Sequence, residues 1–134
     1  MGFDSDNAYI NVAKGFVGIL SFNYTSPFVV QTVNVWDGYS GSGKLLASLT
    51  LAMTPDGRVV NECGFGIRYC PFVEADLSFA GVGRSISVTG AGRFIVMDDI
   101  SFTVAPVPEP QTYAMLLGGL GLLGCMARRR QIRA

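Results

Sequence analysis

An antiparallel β-sandwich followed by one apolar C-terminal helix is the architecture this sequence predicts, and three observations predict it. Up to Pro108, apolar and polar residues alternate with a period of two, and no helical period appears. Clusters of Gly, Pro, Asn and Asp cut that alternation into short runs, which is the punctuation of strands joined by turns. Beyond Pro110 comes an uncharged run, Tyr113 to Ala127, with arginines behind it.

The strands follow in order. Phe16, Gly18, Leu20, Phe22 and Tyr24 share one face of an extended run, with Ser21 and Asn23 on the other, and Pro27 closes it. Gln31 to Trp36 sets Val33 and Val35 against Thr32, Asn34 and Trp36. Asp37-Gly38 and Gly41-Ser42-Gly43 then turn the chain into a return strand carrying Leu45, Ala47, Leu49 and Leu51. Thr54-Pro55-Asp56-Gly57 reads as another turn. Phe72 to Phe79 places Val73, Ala75, Leu77 and Phe79 opposite Glu74, Asp76 and Ser78. Ser85 to Thr89 alternates Ile86 and Val88 with hydroxyl residues, and Gly90-Ala91-Gly92 turns. Phe94 to Met97 leads through Asp98-Asp99 to a last strand with Ile100, Phe102 and Val104. Short strands so spaced point to a sandwich with jelly-roll topology.

The composition is 49% hydrophobic and 15% charged, the opposite of a disordered chain, and its length allows one small domain. Nine acids and six bases precede Pro108, so the body is mildly acidic and nucleic acid is not an expected partner.

The C-terminal segment has three parts. The prolines of Val107-Pro108-Glu109-Pro110 donate no backbone hydrogen bond and favour extended neighbours, making 106–112 a stiff linker. As a helix, Tyr113 to Ala127 would measure about 22 Å against a hydrocarbon core of roughly 30 Å. With Thr112 and Tyr113 at one interface and arginine stems snorkelling at the other, a thin transmembrane helix is expected over 113–127. Arg128, Arg129, Arg130 and Arg133, with no acid among them, act as a stop-transfer signal. They make 128–134 a cytoplasmic tail and put the 1–105 body outside. A buried amphipathic helix would need polar residues at helical spacing, which this run lacks. A permanent, unprocessed anchor is the other reading, since hydropathy does not report cleavage.

Pro108-Glu109-Pro110, an apolar helix and a terminal arginine cluster together resemble the PEP-CTERM sorting signal of exported proteins in Gram-negative, exopolysaccharide-producing bacteria. The resemblance implies that a membrane-embedded exosortase recognises the motif. It also implies transient residence at the inner membrane, then delivery to the cell surface, outer envelope or extracellular matrix. Asn11–Phe16, Leu20–Pro27, Val33–Gly38, Gly43–Leu49 and Met97–Phe102 resemble blocks of the body domain found upstream of such signals. That likeness implies a carbohydrate-binding-like jelly roll without known catalysis. Met1 to Asn7 has neither a basic n-region nor an apolar h-region, so the export reading requires upstream sequence and predicts an N-terminally incomplete sandwich.

Candidate site residues are few. Cys63 and Cys70 flank six residues and, in an oxidising compartment, are placed to form a disulfide. A redox motif needs closer spacing, and zinc needs two further ligands in a chain without histidine. Cys125, in the apolar tail, reads as an inert small residue. Trp36, Tyr39 and Tyr69 are candidates for sugar stacking, against the plainer reading that they cap the sandwich. Asp98 and Asp99, with backbone carbonyls and Asp4 or Asp6, are candidates for a structural Ca²⁺; no other cofactor is expected. Gly38 to Lys44 imitates a phosphate loop, but Leu45 stands where a hydroxyl should hold Mg²⁺, so a hairpin turn is expected and nucleotide is not. Glu62, Glu74, Asp76, Asp98 and Asp99 are the only material for a carbohydrate-active enzyme. A non-catalytic surface or matrix protein is the expectation, with that enzyme, a permanently anchored envelope protein and a truncated gene product as alternatives.

Overall fold

The structure, a computed structural model, describes residues 2–4, 7–90, 94–107 and 109–133, with side chains over 7–132 of these. The elements are β1 (Gly2–Asp4), β2 (Asn7–Thr25), β3 (Gln31–Trp36), a 3-10 turn (Tyr39–Gly41), β4 (Leu45–Leu51), α1 (Gly57–Val60), β5 (Val73–Thr89), β6 (Val96–Val104) and α2 (Pro110–Arg133). The body is antiparallel β, as expected, and α2 is the single long helix among the described residues.

The strands form one hydrogen-bonded sheet rather than two, in the order β1-β2-β5-β3-β4, with β6 also paired to β2. This order does not by itself establish the jelly-roll connectivity. The two long strands carry the sheet around a corner. Asn7 to Asn11 of β2 pairs with Ser85 to Thr89 of β5 beside β3, whereas Gly18 to Tyr24 pairs with Val73 to Phe79 and has β6 on its other edge. Register shifts at Phe16 mark the bend. Gly15 makes the bend possible: its φ is +74°, and a Cβ there would lie 2.6 Å from Val82 Cγ1.

Bending brings the two halves onto one core. Ala8, Val33, Val35, Ile86 and Val88 come from one half, and Leu20, Phe22, Tyr24 and Leu77 from the other. Phe16 sits fully buried at the corner, its ring 5.2 Å from Phe79 and 5.0 Å from Phe102. The far end of β2 is tied to the segment that follows β4: Tyr24 Oη donates to Ala52 O at 3.1 Å, and Thr25 and Thr54 share a buried hydroxyl bond of 3.1 Å.

Several expectations are corrected. The runs 72–79 and 85–89 are one strand, and β2 begins at Asn7, where Ala8, Ile10 and Val12 continue the alternation. The expected turn at Thr54–Gly57 feeds one helical turn, α1. Asp56 caps it by accepting from Arg58 N at 3.0 Å, and Asn61 ends it in left-handed conformation. The hydroxyl face of Ser85–Thr89, to which the alternation assigns no side, is buried at Ser85 and Ser87 under the 3-10 turn and Trp36.

The expected transmembrane helix over 113–127 is corrected too. Among the described residues no helix is long and apolar enough to cross a membrane. The reason lies in α2 itself: fifteen uncharged residues, four of them glycine, stand between Thr112 and Arg128, about 22 Å of helix. α2 also starts at Pro110, inside the segment read as linker. A proline suits a first helical position because its missing N–H would have no partner there.

Candidate functional site

The sorting segment leaves the body at a fixed point. Val104, the last residue of β6, pairs with Phe16, and Ala105 is buried with its N–H donating to Gly15 O at 2.9 Å. Past that bond Pro106, Val107, Glu109 and Pro110 are exposed, while Pro108 lies outside the described residues. Thr112 N donates to Glu109 O at 3.0 Å, so Glu109 stands at the start of α2, where a carboxylate suits the positive end of the helix dipole. Every described side chain of α2 is exposed, Arg128, Arg129 and Arg130 included; the Arg133 side chain lies outside the described residues. The result is a short exposed strap between a buried anchor and an unpacked helix.

The three candidate stacking residues do not come together. Trp36 and Tyr39 lie at the corner end of the body. Trp36 Nε1 donates to Ser87 Oγ at 2.9 Å, and Tyr39 Oη donates to Ala13 O at 3.0 Å. Tyr69 lies toward the other end, edge-on to Phe28 at 6.2 Å, and Phe28 is edge-on to Phe94 at 6.4 Å. The Arg68 guanidinium sits 5.4 Å above the Phe28 ring. Phe28, Phe94 and Arg68 were not candidates from the sequence. Phe28 directly follows Pro27 in a turn, and that placement was the available signal.

A disulfide joins Cys63 to Cys70 across a Cα–Cα distance of 6.1 Å, and Cys125 is free and exposed. The loop it closes packs on α1: Gly57 N donates to Arg68 O at 3.0 Å. It carries Phe65, fully exposed at its tip.

Asp98 and Asp99 are engaged locally. Asp99 N donates to Asp98 Oδ1 at 2.8 Å, and Asn23 Nδ2 donates to Asp99 Oδ2 at 3.1 Å. Among the described residues no group of three Asp, Glu, Cys or His side chains is placed to hold a metal ion. Of the proposed further ligands, Asp6 and the Asp4 side chain lie outside the described residues. Asn23 pairs with Glu74 on one side and Asp98 on the other, so these carboxylates flank it on an exposed sheet face.

The Gly38–Lys44 loop is a hairpin connection. Asp37 N donates to Lys44 O at 3.1 Å, Lys44 N to Asp37 Oδ1 at 2.6 Å, and Gly38 N to Ser42 O at 3.0 Å. These loop N–H groups are used internally, and strand β4 follows where a phosphate loop would need a helix.

Comparison with curated proteins and with solved structures finds no match. Residues 106–131, beginning one residue past the buried Ala105, match the PEP-CTERM protein-sorting motif, so the chain carries at its C-terminus a signal for export and sorting that implies an exosortase as its processing partner.

Proposed function

We propose that this chain is a non-catalytic protein of the cell surface or exopolysaccharide matrix, delivered by exosortase processing of its C-terminal signal, and that its body binds polysaccharide. The observation that carries the delivery is the sorting motif at 106–131, set just beyond the last hydrogen bond to the body. An enzyme reaching Glu109 and Pro110 meets exposed chain and need not unfold the body to engage it. Glu109→Ala with Pro110→Ala is expected to leave the protein cell-associated at full mass. Normal release of that variant would separate the motif from processing.

Polysaccharide binding is supported by the two separate groups of accessible rings, Tyr39 near Trp36 and Phe94 with Phe28 and Tyr69. Flat aromatic faces match the apolar faces of pyranose rings. Glycan binding without hydrolysis is expected. Turnover abolished by Glu74→Gln or Asp99→Asn would replace this reading with that of a carbohydrate-active enzyme.

A further inference from the structure

The body's charges are sorted along its length. The tail leaves at the corner, where Ala105 bonds to Gly15. Lys14 is exposed next to that glycine, and Arg84 follows Gly83, whose backbone faces Gly15. The Arg84 guanidinium lies 5.9 Å over the Tyr39 ring, whose hydroxyl reaches Ala13. Lys44 is exposed in the same hairpin loop as Tyr39. Asp37 is the one acid in that loop, and its carboxylate accepts from Lys44 N.

Away from the corner the sign reverses. Asp76 pairs with Ser21, Glu74 and Asp98 with Asn23, and Asp99 with Asn23 through its side chain. Asp56 and Glu62 flank α1, beyond the Thr25–Thr54 contact. Arg58 and Arg68 are the bases there; Asp6 and Arg93 lie outside the described residues.

We propose that the corner end, with Lys14, Lys44 and Arg84 around Tyr39, is a docking surface for anionic lipid headgroups that seats the body on a bilayer while the tail is being processed. The inference rests on the sorting reading, because the tail is what brings this end to a membrane. Basic side chains at an anionic surface are attracted within about a Debye length, and a tyrosine suits the headgroup layer. The acidic opposite end is repelled by the same surface, so the field orients the body as well as holding it.

The test is co-sedimentation of the full chain with vesicles of phosphatidylcholine alone and of phosphatidylcholine mixed equally with phosphatidylglycerol. Lys14→Glu/Lys44→Glu is compared with Arg58→Glu/Arg68→Glu, which changes net charge by the same amount and keeps the same tail. The corner variant should lose about tenfold or more in partition to anionic vesicles, and the distal variant should stay within about twofold of wild type. Circular dichroism and thermal midpoints establish that both are folded. Lys14→Gln/Lys44→Gln, a milder change, should give an intermediate loss. Equal losses in the two reversal variants, or no preference for anionic vesicles, overturn the proposal. So does binding of soluble polygalacturonate with the same Lys14 and Lys44 dependence but no vesicle binding. No exosortase takes part, so failure here leaves the sorting reading standing, whereas failure of motif variants to block release overturns sorting alone.

Discussion

At Gly15 three demands meet: a left-handed backbone, close contact with Val82 and Gly83, and a carbonyl that accepts the last hydrogen bond before the tail. A left-handed residue with a side chain costs about 1–2 kcal/mol before any steric clash. Gly15→Ala should therefore lower stability by at least that much in chemical denaturation, and an unchanged midpoint would show that the bend does not depend on it. Ser85 has a comparable role: its hydroxyl donates to Gly38 O at 2.6 Å and accepts from Gly41 N at 3.0 Å. Ser85→Ala should cost about 1–3 kcal/mol and speed amide exchange at Gly41. Burial raises the Tyr24 phenol above its usual 10.0. The fold thus favours the protonated form, so its contribution is complete below about pH 10 and is lost as pH rises through the folded-state value. Wild type should lose more stability than Tyr24→Phe as pH is raised above about 10; parallel losses would rule out this residue as the source.

Among the elements, those with a clean two-residue period and a strong turn were legible. The β3–β4 hairpin pairs Val33 with Leu49 and Val35 with Ala47, and β5 buries Leu77 while exposing Asp76 and Ser78. What was not legible depends on partners distant in sequence. Nothing near Ser85 or Ser87 announces that a turn from residues 39–41 will cover them, and an alternating pattern cannot say that 72–79 and 85–89 join through Gly81 and Gly83 as one bent strand. α1 was present in the sequence as Asp56 and Asn61, a cap at each end, but four residues give no period to detect. The clustering of Arg68 and Tyr69 on Phe28 likewise required the fold. The Cys63–Cys70 loop was legible from spacing together with the oxidising compartment that export implies, and it yields a prediction at this scale. Non-reducing peptide maps of exported protein should contain the 63–70 crosslink, and Cys63→Ser/Cys70→Ser should lower stability by about 2–3 kcal/mol on the chain-entropy estimate. Two alkylatable thiols in exported protein would contradict it.

The molecule as a whole is one sheet bent around one core, with a short strap leaving the bend and a helix whose described side chains are all exposed. The strap and its motif were readable because they are linear: prolines, an apolar run and arginines keep their meaning without tertiary context. Helix length was also countable, and fifteen uncharged residues fall short of a full span. An apolar helix with exposed side chains presents leucines that an aqueous matrix does not favour, so a matrix form is expected to lack it. Intact-mass measurement of the cell-surface protein, from cells with and without exosortase, tests this most directly. Loss of the segment from about Tyr113 onward is expected only where exosortase is present. Full-length mass in both would contradict it and make the tail a permanent part of the protein.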